Sequence, residues 1–188
     1  MYQEEEYAYG ILPNSYFKDK IDSLIPGKIL LAGEGEGRNA VYAASKGWEV
    51  YCFDISSYGK TKVLKLAQQT GVKLNYELKN MKELTYELAS FDVVALIYTP
   101  LEHSELVKYL KPGGRLIFEG FSKKQTKYNQ ENPFAGGSRE ASELYNYDQM
   151  KETFKDLSMR ESYETQVILE EGIYHQGVSY ILRYYGIK

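Results

Sequence analysis

The chain has 188 residues, of which 43% are hydrophobic and 26% charged. That is the composition of a globular protein, and the length suits one domain, 1–188, with a full core. A formal charge of −3 gives no general attraction to nucleic acid, and no run approaches the roughly 18 apolar residues of a membrane span, so neither is expected as a partner.

The opening residues are acidic and lack the basic-then-apolar order of a signal peptide. With one cysteine, Cys52, there is no disulfide framework, and the chain reads as cytoplasmic. Pro13 and Asn14 precede an amphipathic helix over 16–24. The first strand is expected at 28–32, followed by a glycine-rich turn and a helix over 37–46 that Gly47 stops. A second strand at 49–53, a helix over 57–69 and a short third strand at 72–78 repeat the alternation. A weak helix is expected at 82–88. The most apolar run, 91–98, reads as a central strand buried on both faces. A helix over 102–110 and a fifth strand at 115–118 follow. Residues 122–143 are polar and aperiodic, which predicts a loop that is functional or disordered. A helix over 148–154 precedes two alternating strands, 160–169 and 177–185, joined by a turn at 170–176. Strand–helix alternation of this kind predicts a parallel sheet with helices on both faces and an antiparallel hairpin closing one side.

The turn Gly33-Glu34-Gly35-Glu36-Gly37 carries the most specific chemistry. A dinucleotide fingerprint would place its third glycine at position 38, which is Arg38. A pyrophosphate on these amides would also face Glu34 and Glu36, and like charges oppose binding. A ligand with a cationic near end is favoured, and S-adenosylmethionine, with a sulfonium and an ammonium, fits. The other reading is that the two glutamates complement the positive end of the following helix. One strand later, Asp54 is placed to accept both ribose hydroxyls.

This segment resembles motif I of class I S-adenosylmethionine-dependent methyltransferases. A closer likeness, to their tellurite-resistance and thiopurine methyltransferase-like branch, rests on Tyr9-Gly10-Ile11-Leu12-Pro13-Asn14, on Gly33 to Ala40, and on Glu171-Gly172-Ile173-Tyr174-His175-Gln176-Gly177. The resemblance implies a Rossmann-like, doubly wound α/β fold. Its three-layer sandwich would hold seven strands in the order 3-2-1-4-5-7-6, the last antiparallel. It implies S-adenosylmethionine as cofactor, residues 1–27 as an N-terminal cap, and Tyr9 and Asn14 folded back over the site. Asn80 stands where methyltransferases often carry an aspartate for the adenine amino group. Its amide oxygen can still accept, and Met81 can pack on the ring.

Ligands of open α/β sheets bind past the carboxyl ends of the strands. The expected cofactor residues are therefore Gly33, Glu34, Gly35, Gly37 and Asn39 past the first strand. Asp54 and Ile55 follow the second, Asn80 and Met81 the third, and Tyr98 the fourth. His175, in the hairpin turn, is the candidate catalytic residue, since imidazole can deprotonate a nucleophile or, when charged, hold an anion. The stretch 121–146 is read as a substrate lid, with Phe121 and Tyr128 against the acceptor. With one cysteine and two distant histidines, no metal site is expected. The expected activity is methylation of a small molecule: a thiol, a selenium or tellurium oxyanion, or a similar soft nucleophile. A non-catalytic cofactor binder and, further off, an NAD(P)-dependent oxidoreductase are the alternatives.

Overall fold

The computed structural model describes residues 6–188; the acidic stretch 1–5, on which the signal-peptide reading partly rests, lies outside it. Seven strands form one sheet: β1 Lys28–Ala32, β2 Glu49–Asp54, β3 Asn75–Leu78, β4 Phe91–Ile97, β5 Leu110–Phe121, β6 Ser158–Glu171 and β7 His175–Ile187. Their order is β3-β2-β1-β4-β5-β7-β6, as the resemblance implied. The first five are mutually parallel, and β7 runs antiparallel to both β5 and β6.

Five helices accompany them: α1 Ser15–Asp22, α2 Arg38–Ser45, α3 Ser57–Thr70, α4 Thr126–Glu131 and α5 Tyr147–Thr153. Pleating sends alternate residues of a strand to opposite faces. In β1, Ile29 and Leu31 join α1, α2 and α3 in one apolar cluster, while Leu30 and Ala32 join α5 and Leu106 in another. The sheet is thus the middle of three layers. Small residues on α2, Ala40 and Ala43, are fully buried and let the helix pack closely on the sheet at β2.

Several expected elements differ; the third strand is shorter than 72–78 and the fifth is longer than 115–118. The helix predicted at 102–110 is a 3-10 helix, Leu101–Tyr109. It must return from the end of β4 to Leu110, which already pairs with Phe91. Seven residues of β4 rise about 23 Å; nine 3-10 residues cover about 18 Å, against about 13.5 Å for an α-helix. The weak helix at 82–88 is a single 3-10 turn, Met81–Glu83. Beyond it Tyr86 is held extended by edge-on packing on Phe91 and Tyr109. The aperiodic 122–143 stretch contains 3-10 turns at Lys123–Gln125 and Ala141–Glu143 and the short α4. The last two strands are longer than their alternation showed, and the turn between them is only residues 172–174.

Candidate functional site

Past β1 the chain makes its turn through three glycines with φ of +59°, +52° and +83°. The glutamate between the first two bends back beneath the turn. Glu34 Oε2 accepts from the Ala40 N–H (2.9 Å) and Oε1 from Asn39 Nδ2 (3.3 Å), so its carboxyl caps the first turn of α2. Burial raises its pKa to about 7, against the lowering effect of those donors. Glu34 therefore serves the helix end, the alternative raised from sequence. Glu36 does something different. Its Oε1 pairs with Lys62 Nζ at 2.5 Å, and its Oε2 is buried with no hydrogen bond among the described residues. Such an oxygen suits a cationic group.

Asp54 ends β2 with Oδ2 accepting from Gly35 N–H and Oδ1 from Ser56 N–H, both at 2.8 Å. It ties the glycine turn to the second strand. Ile55 follows with 77% of its surface exposed. Asn80 sits past β3, but its Oδ1 accepts from Lys82 N–H within a capping box, so it forms the turn there. Met81 packs sideways on the cluster beneath the α5 face.

A cavity of about 940 Å³ opens past β1, β4 and β7. Gly33, Glu34, Gly37, Asn39 and Tyr98 line it, together with Tyr9, Phe121 and His175. Gly35, Asp54, Ile55, Asn80 and Met81 stand apart from its wall, as does Tyr128, which lies in α4 stacked on Tyr180. Asn14 lies behind the wall, wholly buried, as the N-cap of α1. Pro133 and residues 135–139 also line the cavity, and the backbone at Gly136 lies against Phe121 and His175.

His175 is not in the turn where the spacing put it. It is the first residue of β7, 7% exposed. Its ring is hemmed by Tyr9 (centroids 4.5 Å), Tyr98 (4.8 Å) and Phe121 (5.2 Å). Nδ1 lies 3.0 Å from Glu171 Oε2. Burial lowers the histidine's pKa despite the neighbouring carboxylate. Burial pushes the Glu171 pKa up, but the hydrogen bond to His175 and the charge of Arg38 hold it below the ordinary value. The pair is thus neutral imidazole beside carboxylate.

Behind this pair runs a buried polar network that sequence reasoning did not assemble. Arg38 NH2 donates to Glu171 Oε2 (2.9 Å), and its NH1 to the Tyr9 carbonyl (3.2 Å). Asn14 Nδ2 reaches Glu119 Oε1 (2.6 Å) and Glu171 Oε1 (3.3 Å). Tyr98 OH donates to Glu119 Oε1 and Arg183 Nε to Glu119 Oε2, both at 2.6 Å. Glu119 was the visible clue: a carboxylate inside an apolar strand must find donors. Tyr98 holds φ +56°, rare outside glycine, and its ring stacks on Phe121 at 4.5 Å.

A family model described as a methyltransferase domain matches residues 29–114. No curated protein matches the chain in sequence. Many solved structures resemble it. One comes from work on the conversion of a disulfide bond into a thioacetal group during echinomycin biosynthesis. It has a TM-score of 0.76 and 16% identity over 100% of this chain and 87% of that one. TehB from Haemophilus influenzae gives 0.72 and 15%, over 94% of this chain and 62% of TehB. The 1,6-didemethyltoxoflavin-N1-methyltransferase of Burkholderia thailandensis, bound to 1,6-didemethyltoxoflavin and S-adenosylhomocysteine, gives 0.62 and 17%, over 93% and 78%. By its sheet order and by these likenesses the chain carries the class I S-adenosylmethionine-dependent methyltransferase fold, with the methyltransferase domain recognised over residues 29–114.

Proposed function

We propose that this protein transfers a methyl group from S-adenosylmethionine to a small-molecule acceptor. The observation that carries the reading is the Glu36 carboxylate of the three-glycine turn, which lines the cavity and whose buried Oε2 has no partner among the described residues, Oε1 alone being paired with Lys62. It suits an ammonium or sulfonium and repels a diphosphate. The cofactor supplies a methyl carbon already activated by its sulfonium. The chain's own residues orient it and exclude water. Asp54 is the residue for the ribose hydroxyls and Ile55 offers an apolar face beside it. Asn80 and Met81 bound the adenine end. The unit is one domain over 1–188, with 1–27 as its cap and 121–146 as a lid on the acceptor side.

Ligand pockets usually enclose about 300–1,000 Å³. At about 940 Å³ this cavity has room for an acceptor beside the methionine end of the cofactor, whose ribose and adenine would extend beyond its wall toward Asp54 and Asn80. Among acceptors, a thiol or similar soft nucleophile is favoured over a selenium or tellurium oxyanion. The wall carries Glu102 and Glu143 against Arg139, while Glu36 is paired with Lys62, Arg38 with Glu171, and Glu34 is only partly ionised near pH 7. Such a wall disfavours a dianion.

Calorimetry with S-adenosylmethionine, S-adenosylhomocysteine and NAD tests the cofactor. Binding of the first two without NAD is the expected result, and tight NAD binding alone overturns the proposal. A panel of thiols, phenols, selenite and tellurite then separates enzyme from binder: cofactor binding with no turnover on any acceptor favours a non-catalytic role.

A further inference from the structure

We propose that His175 and Glu171 form a general-base dyad, so that the acceptor is a nucleophile that arrives carrying its proton on sulfur, oxygen or nitrogen. This rests on the methyltransferase reading and goes beyond it, because methylation of a ready-made anion needs no base.

The geometry is specific. Glu171 Oε2 faces His175 Nδ1 at 3.0 Å, and a carboxylate can only accept, so the ring's proton sits on Nδ1. Nε2 then holds the lone pair, and it makes no hydrogen bond among the described residues, on a ring that lines the cavity. Glu171 is itself fixed from two sides, by Arg38 NH2 at 2.9 Å and by Asn14 Nδ2 at 3.3 Å. A base whose second nitrogen is oriented by a fixed acid is the arrangement nucleophile activation requires.

Every element around the ring bears on its charge. Glu171 on β6 and Glu119 on β5 favour the charged ring; Arg38 on α2 and burial oppose it. Tyr9, Tyr98 and Phe121 hem the ring and limit its rotation. Burial wins, so the ring is neutral at rest with its Nε2 lone pair available to a proton, and the anion-holding role, which needs imidazolium, is disfavoured.

The step balances. The acceptor's proton passes to His175 Nε2 as its lone pair forms the bond to the methyl carbon. The carbon–sulfur bond breaks and its electron pair returns to sulfur. The resulting imidazolium is stabilised by Glu171 and gives its proton to water. His175 touches the reacting proton; Glu171 is a positioning residue.

With only two histidines, nitrogen-15 NMR of the ligand-free protein reads the dyad directly, His103→Gln serving for assignment. The expected spectrum at pH 7 shows a neutral His175 protonated on Nδ1; a charged ring, or a proton on Nε2, overturns the proposal. Kinetics supply the second arm. His175→Ala should lower turnover of acceptors that are protonated at the assay pH by about 10²–10⁴-fold. Glu171→Gln should lower it at least about tenfold and move the acid limb of the pH profile. Acceptors already ionised at that pH should change less than about threefold. Equal losses for both kinds of acceptor would reduce the pair to a structural role. Should Glu171→Gln fail to fold, the wild-type spectrum decides. An Nδ1–H tautomer in a protein that calorimetry shows not to bind S-adenosylmethionine would sink the methyltransferase reading and leave the dyad geometry standing.

Discussion

Gly37 offers the sharpest test of how the glycine turn works. A Cβ built there would lie 1.9 Å from Val63 Cγ2 and 2.5 Å from Val63 Cβ, and the residue holds φ +83°. Val63 is fully buried in α3, so neither it nor the helix can step aside. Gly37→Ala therefore incurs about 1–2 kcal/mol for the left-handed backbone and about 1–3 kcal/mol for overpacking. The sum, about 2–5 kcal/mol, is a large part of a domain's stability. Val63→Ala removes the methyl at 1.9 Å but keeps a Cβ at 2.5 Å, so it relieves only part of the collision, and the double variant should lose about 1 kcal/mol less than the two single losses added together. Urea unfolding of all four proteins, with unchanged m-values, measures the coupling. Additivity within about 0.5 kcal/mol would refute the packing account. So would a Gly37→Ala protein of normal stability that binds cofactor poorly, because the third glycine would then serve the ligand and not the helix.

Glu34 predicts a pH dependence. Its folded pKa of about 7 stands above the ordinary carboxylate value, so the folded state holds a proton that the unfolded chain releases. Its contribution is greatest at low pH and falls as pH rises from about 4.5 to about 7, by on the order of 3 kcal/mol, with no further change above that window. Glu34→Gln should flatten this decline in urea midpoints between pH 5 and pH 8; an unaltered slope would contradict the assignment. Tyr98→Phe removes one of the two donors on Glu119 Oε1 and should lower stability by about 1–3 kcal/mol by the same assay, with no loss meaning that Asn14 alone satisfies that oxygen. Gly172→Ala would drive a Cβ to 2.3 Å from the Gly10 nitrogen and 2.5 Å from the Ala8 oxygen. Limited proteolysis should then cut within 7–14 faster than in the parent, and equal rates would show that the segment is held elsewhere.

The strand–helix alternation and the glycine turn were legible because each leaves a local mark: apolar runs, glycines at left-handed backbone, an acid closing a strand; the order of the strands came from the family resemblance. Lengths were less so. Pro112, Gly113 and Gly114 read as a turn, yet β5 begins at Leu110 because that residue pairs with Phe91 before the chain bulges out. His175 looked like a turn residue for the same reason: nothing local shows that Glu171 pairs with it across the hairpin. The site's polar network was hidden further. Arg38 and Glu171 are 133 positions apart, and no periodicity links them. Glu34 shows the reverse limit, since its charge was legible while its use, capping the helix it precedes, was decided by a backbone path that sequence does not display.

The roof of the cavity is also a clock. Ile173 N–H reaches the Ala8 carbonyl at 2.8 Å, and the Arg38 guanidinium that holds the Tyr9 carbonyl leans on Glu171. Such distant pairings form late, since closing long loops is what slows folding. On the ribosome Ala8 and Tyr9 therefore wait for these partners until the chain has been synthesised past position 173. The residues of β1 to β5 and the glycine turn are made long before that, but the cavity gains this side of its wall only near the end of translation. Any premature stop before the final hairpin leaves the turn uncovered on a sheet that lacks its last two strands.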